Sequence, residues 1–150
     1  MKPQAESLRV PCHRPFAFAA WALFVLSFFL PSFDNAWGWQ CAIMIQYYWP
    51  GVWEGKLACI HLVLLNFANL FMLVSPWFIL RWTGGPRLFR WLRRGSAASL
   101  FLTAALMLEF GKDIGDLRIG YFVWVFSFGL LAASLVRGAV GIPLHRAIAN

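Results

Sequence analysis

The lysines and arginines of this chain are confined to alternate loops between long apolar stretches. Ten of the thirteen Lys and Arg residues, but only one of the six acidic residues, fall in the segments 1–14, 81–95 and 137–150. The two intervening charged segments, 34–56 and 109–118, carry the other acids. Lys and Arg near the ends of membrane spans are retained on the cytoplasmic side. The alternation therefore predicts a membrane protein with both termini in the cytoplasm.

The composition agrees with a membrane environment. The chain is 61% hydrophobic and 13% charged, whereas soluble domains are about 25% charged. A length of 150 residues suits one domain. A net charge of +7 would suggest nucleic acid in a soluble protein. Here the cations adjoin apolar spans, so we expect anionic lipid headgroups on the cytoplasmic side, and no nucleic acid, as their partners.

The apolar stretches predict four spans, near residues 15–33, 57–80, 96–113 and 119–136. Because the backbone must satisfy its own hydrogen bonds in a bilayer, each span is expected to be a helix. The fold class is therefore all-α, a four-transmembrane-helix bundle in the inner (plasma) membrane. The basic flank of the first span resembles a secretory leader, but the long apolar run without a small-residue cleavage site predicts an uncleaved anchor. Small residues are expected to bring the third and fourth spans close together: Ala97, Ala98, Ala104, Ala105, Gly129, Ala132 and Ala133.

The uncharged stretch 35–53 is ambiguous. A fifth span there would place the arginines of 81–95 outside, against the charge rule. The stretch also contains the helix breaker Pro50-Gly51. Trp and Tyr prefer the headgroup level, and this stretch carries the interfacial candidates Trp37, Trp39, Trp49 and Trp53. These features predict a short outer helix near 40–49 that lies on the membrane or dips into it.

Three polar side chains are predicted inside the membrane, all in the second span: His61, Asn66 and Asn69. At about 1.5 Å per residue from position 57, the two asparagines straddle the midplane. They could hydrogen-bond across the bundle or contact a substrate or quinone. A bis-histidine haem needs a second intramembrane histidine. The other two, His13 and His145, are predicted on the cytoplasmic side, so only a haem shared between two copies is left open, and no cofactor is predicted.

Two charged clusters flank the spans. The outer cluster contains Glu109, Lys112, Asp113 and Asp116. Glu109 is expected at the same depth as His61, where the two could form a cation or proton site; a solvated helix end is the alternative. The inner cluster is expected to anchor the topology and to contact anionic headgroups: Arg81, Arg87, Arg90, Arg93 and Arg94.

No catalytic or metal-binding motif is recognised. The sequence has no G-x-S-x-G, H-E-x-x-H, phosphate-binding loop or dinucleotide fingerprint. Its three cysteines, Cys12, Cys41 and Cys59, lack a C-x-x-C pair or zinc spacing. Both Cys41 and Cys59 are expected on the outer side, where either a disulfide between them or two buried thiols would fit.

Several landmarks between residues 30 and 134 resemble a family of small bacterial four-span inner-membrane proteins of uncharacterised activity. They are Leu30-Pro31, Gly38-Trp39-Gln40-Cys41, Ala68-Asn69-Leu70, and Gly120-Tyr121 with Trp124 and Ser127. The resemblance implies a helical inner-membrane protein and brings no activity and no functional residues.

The function expected from these features is that of a non-enzymatic accessory or interaction subunit. Its partner would be another membrane protein or a second copy of the chain. One alternative is a small oligomeric transporter or channel with the path lined by His61, Asn66, Asn69 and Glu109. A second alternative is a quinone- or haem-associated redox protein.

Overall fold

The computed structural model describes residues 12–81, 86–109 and 114–140, and within them the fold is all-α with one small hairpin. Two short strands form the hairpin, β1 (Pro31–Phe33) and β2 (Ala36–Trp37). The helices are α1 (Arg14–Ser27), α2 (Gly38–Met44), α3 (Trp49–Trp53), α4 (Leu57–Arg81), α5 (Pro86–Glu109) and α6 (Ile119–Val140). Single 3₁₀ turns lie at Ile45–Tyr48 and Ile114–Asp116.

Two of the described helices, α4 and α6, are long and apolar enough to cross a membrane. In the most apolar part of α4 only 28% of the residues are buried, whereas the core helix of a soluble protein would be mostly buried. Helix α1 is apolar but has 14 residues, about 21 Å. Helix α5 has 24 residues, but its first turns carry four arginines. Length and composition thus identify two candidate spans where the sequence predicted four.

The helices pack through stripes at heptad-like spacing. Helix α1 packs along α6, and α5 packs against both α4 and α6. The buried residues of α1 are Ala17, Ala20, Phe24 and Ser27. Those of α5 are Leu92, Ser96, Ser99, Thr103 and Leu106. Of the four alanines predicted to pack in the third span, Ala97, Ala98 and Ala104 are exposed and Ala105 is half-buried, because the buried stripe of α5 runs through its hydroxyl residues instead.

Buried hydroxyl groups are the small residues of the buried faces of α5 and α6. Most of them donate to the carbonyl three residues earlier in their own helix, as Ser127 Oγ does to Trp124 O at 2.6 Å and Ser134 Oγ to Leu131 O at 2.7 Å. Thr103 Oγ1 donates to Leu100 O at 2.9 Å in the same way. These hydroxyls are satisfied locally, so they let neighbouring helices approach without needing a partner there.

Pro76 lies inside α4 without ending the helix. Proline has no N–H, so the carbonyl of Met72, four residues earlier, loses its usual donor. Ser75 Oγ donates to that carbonyl at 2.9 Å. Ser75 Oγ in turn accepts a hydrogen bond from Trp21 Nε1 of α1 at 3.0 Å. Ser75 therefore supplies the donor that Pro76 lacks, and its hydrogen bond from Trp21 joins α4 to α1.

The segment after α1 differs from the prediction. The helix ends at Ser27, before the predicted limit at 33, and the chain turns back through β1 and β2, which pair antiparallel. The predicted outer helix at 40–49 is a run of three shorter helical pieces from Gly38 to Trp53. Gln40 Oε1 accepts from the backbone N–H of Trp37 at 2.8 Å and caps the first piece.

The two ends of the bundle carry different charges. At one end the backbone N–H of His13 donates to Ser134 O at 2.9 Å, and the Arg137 guanidinium lies 4.8 Å from the centre of the Phe16 ring. At the opposite end the backbone N–H of Asp34 donates to Asp116 O at 2.7 Å. We call these the inner and outer ends.

Each end has its own apolar cluster. The inner apolar cluster contains Ala20, Phe24, Ala68, Met72, Ile79, Leu92, Phe128, Leu131 and Leu135. The outer apolar cluster contains Leu65, Leu106, Leu117 and Tyr121. The outer apolar cluster forms one wall of the cavity described next.

Candidate functional site

A cavity of about 530 Å³ opens at the outer end, between the hairpin and α2 on one side and α4, α5 and α6 on the other. This volume lies within the range of roughly 300–1,000 Å³ that small-molecule sites occupy. Aromatic rings contribute much of the lining: Phe28, Phe33, Tyr48, Tyr121 and Trp124. The polar lining groups include Asn69 and, at the hairpin, Ser32, Asp34 and Asn35.

The outer wall of the cavity is fixed by backbone contacts to the start of α6. Arg118 N–H donates to Ser32 O at 3.1 Å, and Phe33 forms an isolated β-bridge with Leu117. Between the strands, Asp34 adopts a left-handed backbone conformation with φ 47°, which Asp tolerates better than most residues. The hairpin is therefore attached to the 116–118 segment rather than left as a free loop.

Two glycines allow this close approach. A Cβ at Gly38 would lie 2.3 Å from Ser27 O, and a Cβ at Gly120 would lie 2.7 Å from Pro31 O and 2.8 Å from Leu30 O. All three obstacles are backbone atoms, which cannot move aside as a flexible side chain can. The cavity wall thus depends on glycine at both positions.

The polar sector of α4 forms contacts to two different helices. Trp124 Nε1 of α6 donates to Asn69 Oδ1 at 2.9 Å. His61 Nε2 lies 2.9 Å from Leu102 O of α5. Asn66 is half-buried, and no side-chain hydrogen bond joins it to another residue in the described ranges. Of the predicted intramembrane residues, Asn69 is the one that lines the cavity.

Tyr121 links α6 to α5 beside the cavity. Its hydroxyl donates to Thr103 O at 2.7 Å, and its ring packs against Trp124 with centroids 5.9 Å apart. Neither Tyr121 nor Trp124 was predicted to have a functional role. A signal was present, since Trp N–H and Tyr O–H groups need partners when buried, and both residues lie in the first turns of an apolar helix.

The three cysteines are free thiols. Cys41 lines the cavity, and burial raises the pKa of its thiol, although a backbone hydrogen bond opposes the shift. Burial likewise raises the pKa of Cys12 at the inner end, where the charge of Arg14 acts in the opposite direction. Both groups are therefore thiols and not thiolates near neutral pH, and the structure contains no Cys41–Cys59 bond.

Only part of the predicted outer charged cluster falls within the described residues. Asp116 is exposed. Lys112, Asp113 and the side chain of Glu109 lie outside them. The backbone of Glu109 is seven residues beyond Leu102, the residue that His61 contacts, about 10 Å along α5. The proposed meeting of Glu109 with His61 stays a prediction.

The inner arginines extend away from the bundle. Arg87, Arg90, Arg93 and Arg94 are exposed, whereas Leu92 beside them is buried. Arg81 is also exposed, and its guanidinium lies 4.7 Å from the centre of the Trp77 ring. The start of α5 thus presents a basic face to its surroundings.

The four predicted interfacial tryptophans are exposed. Trp37, Trp39 and Trp49 have 47%, 48% and 39% of their surface accessible, and Trp53 has 86%. Rings this exposed contribute little to the core, so they are available to a headgroup layer.

The chain matches no protein-family model, no curated protein and no solved structure. The family resemblance therefore stays a prediction.

Proposed function

We propose that this protein is a four-span inner-membrane protein with both termini in the cytoplasm that acts without catalysis as an accessory or interaction subunit. The observation that carries the proposal is the use of the intramembrane polar groups. Asn69 accepts a hydrogen bond from Trp124, and His61 contacts the Leu102 carbonyl. Polar groups used in this way hold helices together.

The proposed four-span topology rests on how the shorter helices pack. Helices α1 and α5 lie alongside α6, which is itself long and apolar enough to cross a membrane. A bilayer that surrounds α4 and α6 would therefore surround α1 and the apolar part of α5 as well. Large apolar side chains on three of these helices are more than half exposed, as expected for lipid contact: Phe67, Leu73, Trp77, Phe101 and Phe126.

The proposed orientation rests on the charges at the two ends. Arg14 and Arg137 lie at the inner end with the basic face of α5. Asp34 and Asp116 lie at the outer end. The positive-inside rule places the inner end in the cytoplasm, where the α5 arginines would contact anionic headgroups at about 1 kcal/mol per cation.

Purification in a mild detergent tests the subunit role. We expect the tagged full chain, cross-linked in the membrane, to retain one other membrane protein or a second copy in fixed stoichiometry. Substitution of one exposed face should release that partner while substitution of another keeps it; Leu73→Arg on α4 and Phe126→Arg on α6 form such a pair. Recovery of a monomer alone, or a partner that both variants retain equally, would contradict the proposal.

The transporter alternative makes a different prediction. It requires Asn69→Leu to abolish a flux while the protein still assembles. The same variant in the accessory-subunit proposal alters packing and leaves any flux of the surrounding membrane unchanged.

A further inference from the structure

The hydrogen bond between Trp124 and Asn69 fixes the orientation of an amide inside the outer cavity. An indole N–H can only donate, so the atom of Asn69 that lies 2.9 Å from Trp124 Nε1 is the carbonyl oxygen Oδ1. The amide nitrogen Nδ2, with two N–H groups, is therefore on the other side of the side chain. Among the described residues no acceptor takes a hydrogen bond from Nδ2, and Asn69 lines the cavity.

Asn35 and Tyr48, which also carry donors, are exposed, and two further lining hydroxyls are already bonded within the protein. The Tyr121 hydroxyl donates to Thr103 O, and the Ser27 hydroxyl donates to Phe24 O. Among the described residues, Asp34 is the one charged side chain in the lining, and it lies exposed at the hairpin. A negative group at the mouth disfavours an anionic ligand. Aromatic rings and aliphatic side chains favour an apolar one.

We propose that this cavity binds a neutral, apolar molecule whose carbonyl oxygen accepts a hydrogen bond from Asn69 Nδ2. An N–H donor within an apolar lining selects ligands that bring an acceptor, because a ligand without one leaves the donor unpaired. Two kinds of membrane molecule share this chemistry: the ring carbonyl of a quinone and the ester carbonyl of a neutral lipid. The binding site goes beyond the accessory-subunit role and does not depend on it.

Direct binding to the purified full chain tests the proposal. Native mass spectrometry and equilibrium dialysis in detergent would compare decylubiquinone, dioleoylglycerol, decylbenzene and oleate. We expect decylubiquinone or dioleoylglycerol to bind more tightly than decylbenzene, which has no carbonyl, and than oleate, which is anionic. The preferred probe of the first two identifies the source of the carbonyl.

Variants distinguish the contribution of the Asn69 hydrogen bond to ligand affinity from that of the cavity volume. Asn69→Leu should weaken binding of the carbonyl probe by about three- to tenfold and leave decylbenzene unchanged. Asn66→Leu, on the same helix but outside the cavity lining, is the matched control and should bind like the wild type. Ala42→Phe, which narrows the cavity while leaving Asn69 and Trp124 in place, should weaken binding of every probe, including decylbenzene.

Three results would overturn the proposal. These are equal affinity of wild type and Asn69→Leu for the carbonyl probe, unchanged affinity of Ala42→Phe for every probe, and absence of binding by both carbonyl probes. If Asn69→Leu does not fold, the Ala42→Phe result and the comparison with decylbenzene decide. Because these measurements use the isolated protein, they succeed or fail independently of the search for a partner subunit.

Discussion

The inner and outer ends of this bundle contain segments of the same four long helices but are stabilised differently. At the inner end, Phe128, Leu131 and Leu135 have no accessible surface and join one continuous apolar cluster. At the outer end the helices, the hairpin and α2 surround a cavity of about 530 Å³. Hydrogen bonds between segments, such as Asp34 N–H to Asp116 O, hold that wall in place. One end is stabilised by close packing, and the other by bonds around a space.

The largest expected loss of stability comes from a substitution in the closely packed inner end. Leu131→Ala should destabilise the protein by about 2–5 kcal/mol, because it removes buried methyl groups and leaves a void that the inner apolar cluster cannot fill. Leu62→Ala, which only enlarges the existing outer cavity, should cost much less. Unfolding in a graded series of SDS with mixed detergent measures both. Equal losses would show that the outer end is packed as tightly as the inner end.

The next largest loss of stability is expected from a substitution in the wall of the outer cavity. Gly38→Ala should cost about 1–3 kcal/mol, because the new Cβ meets the Ser27 carbonyl and the backbone must shift. Gly115→Ala is the matched control, since its Cβ would meet nothing within 4 Å. Its stability should stay within about 0.5 kcal/mol of the wild type. Thermal unfolding in detergent compares them, and a neutral Gly38→Ala would mean that the hairpin is free to move.

A smaller effect measures the hydrogen bonds at each end. Double-mutant cycles with Asn69→Leu and Trp124→Phe at the cavity, and with Trp21→Phe and Ser75→Ala at α1, should each give a coupling free energy near 0.6 kcal/mol. The same unfolding assay provides the values. A coupling indistinguishable from zero at the cavity would show that Asn69 and Trp124 do not act as a pair.

The smallest expected effect is a difference between the pKa values of two thiols, Cys12 at the inner end and Cys41 at the outer end. The pKa of Cys12 is raised by burial and lowered by Arg14, whereas that of Cys41 is raised by burial without a nearby cation. Arg14→Gln should therefore shift the alkylation profile of Cys12 to higher pH and leave that of Cys41 unchanged. Single-cysteine variants labelled over pH 7–10 test this.

The raised pKa values also set the sign of a pH effect on stability. A raised folded-state pKa means that the folded protein holds the thiol proton more tightly than the unfolded chain. The stabilisation from Cys41 is therefore complete below the usual thiol pKa of about 8.5 and is lost as the pH rises beyond it. Cys41→Ser should remove that alkaline loss, and an unchanged pH profile would contradict the assignment.

The sequence predicted the helical class because apolar runs and charge placement are local properties. It predicted the exposed face of Arg87 and Arg90 for the same reason. It did not predict the hairpin at Pro31–Trp37, whose pairing depends on contacts with Asp116 and Arg118 far along the chain. Length alone also could not show that α1 would end at Ser27, where the chain turns to form the cavity wall.

The depth of Asn69 illustrates the same limit. Counting from the first apolar residue puts Asn69 about 18 Å into α4, but its partner Trp124 is only about 7.5 Å into α6. Helix α4 therefore starts about 10 Å farther out than α6 if the two axes run nearly parallel. That offset depends on how the helices pack. It explains why Asn69, which was assigned to the midplane, lines an outer cavity. Gly38, Cys41, Tyr121 and Trp124, which are distant from it in sequence, line the same cavity.

The proline in α4 makes two neighbouring codons interdependent. With Pro76 present, Ser75 is needed to supply a donor to Met72 O, so mutation of the serine alone is harmful. Once Pro76 is replaced by a residue with an N–H, the same serine becomes dispensable for that carbonyl. Loss of the serine should therefore cost less stability after the proline has been replaced than before, because Met72 O then keeps a backbone donor.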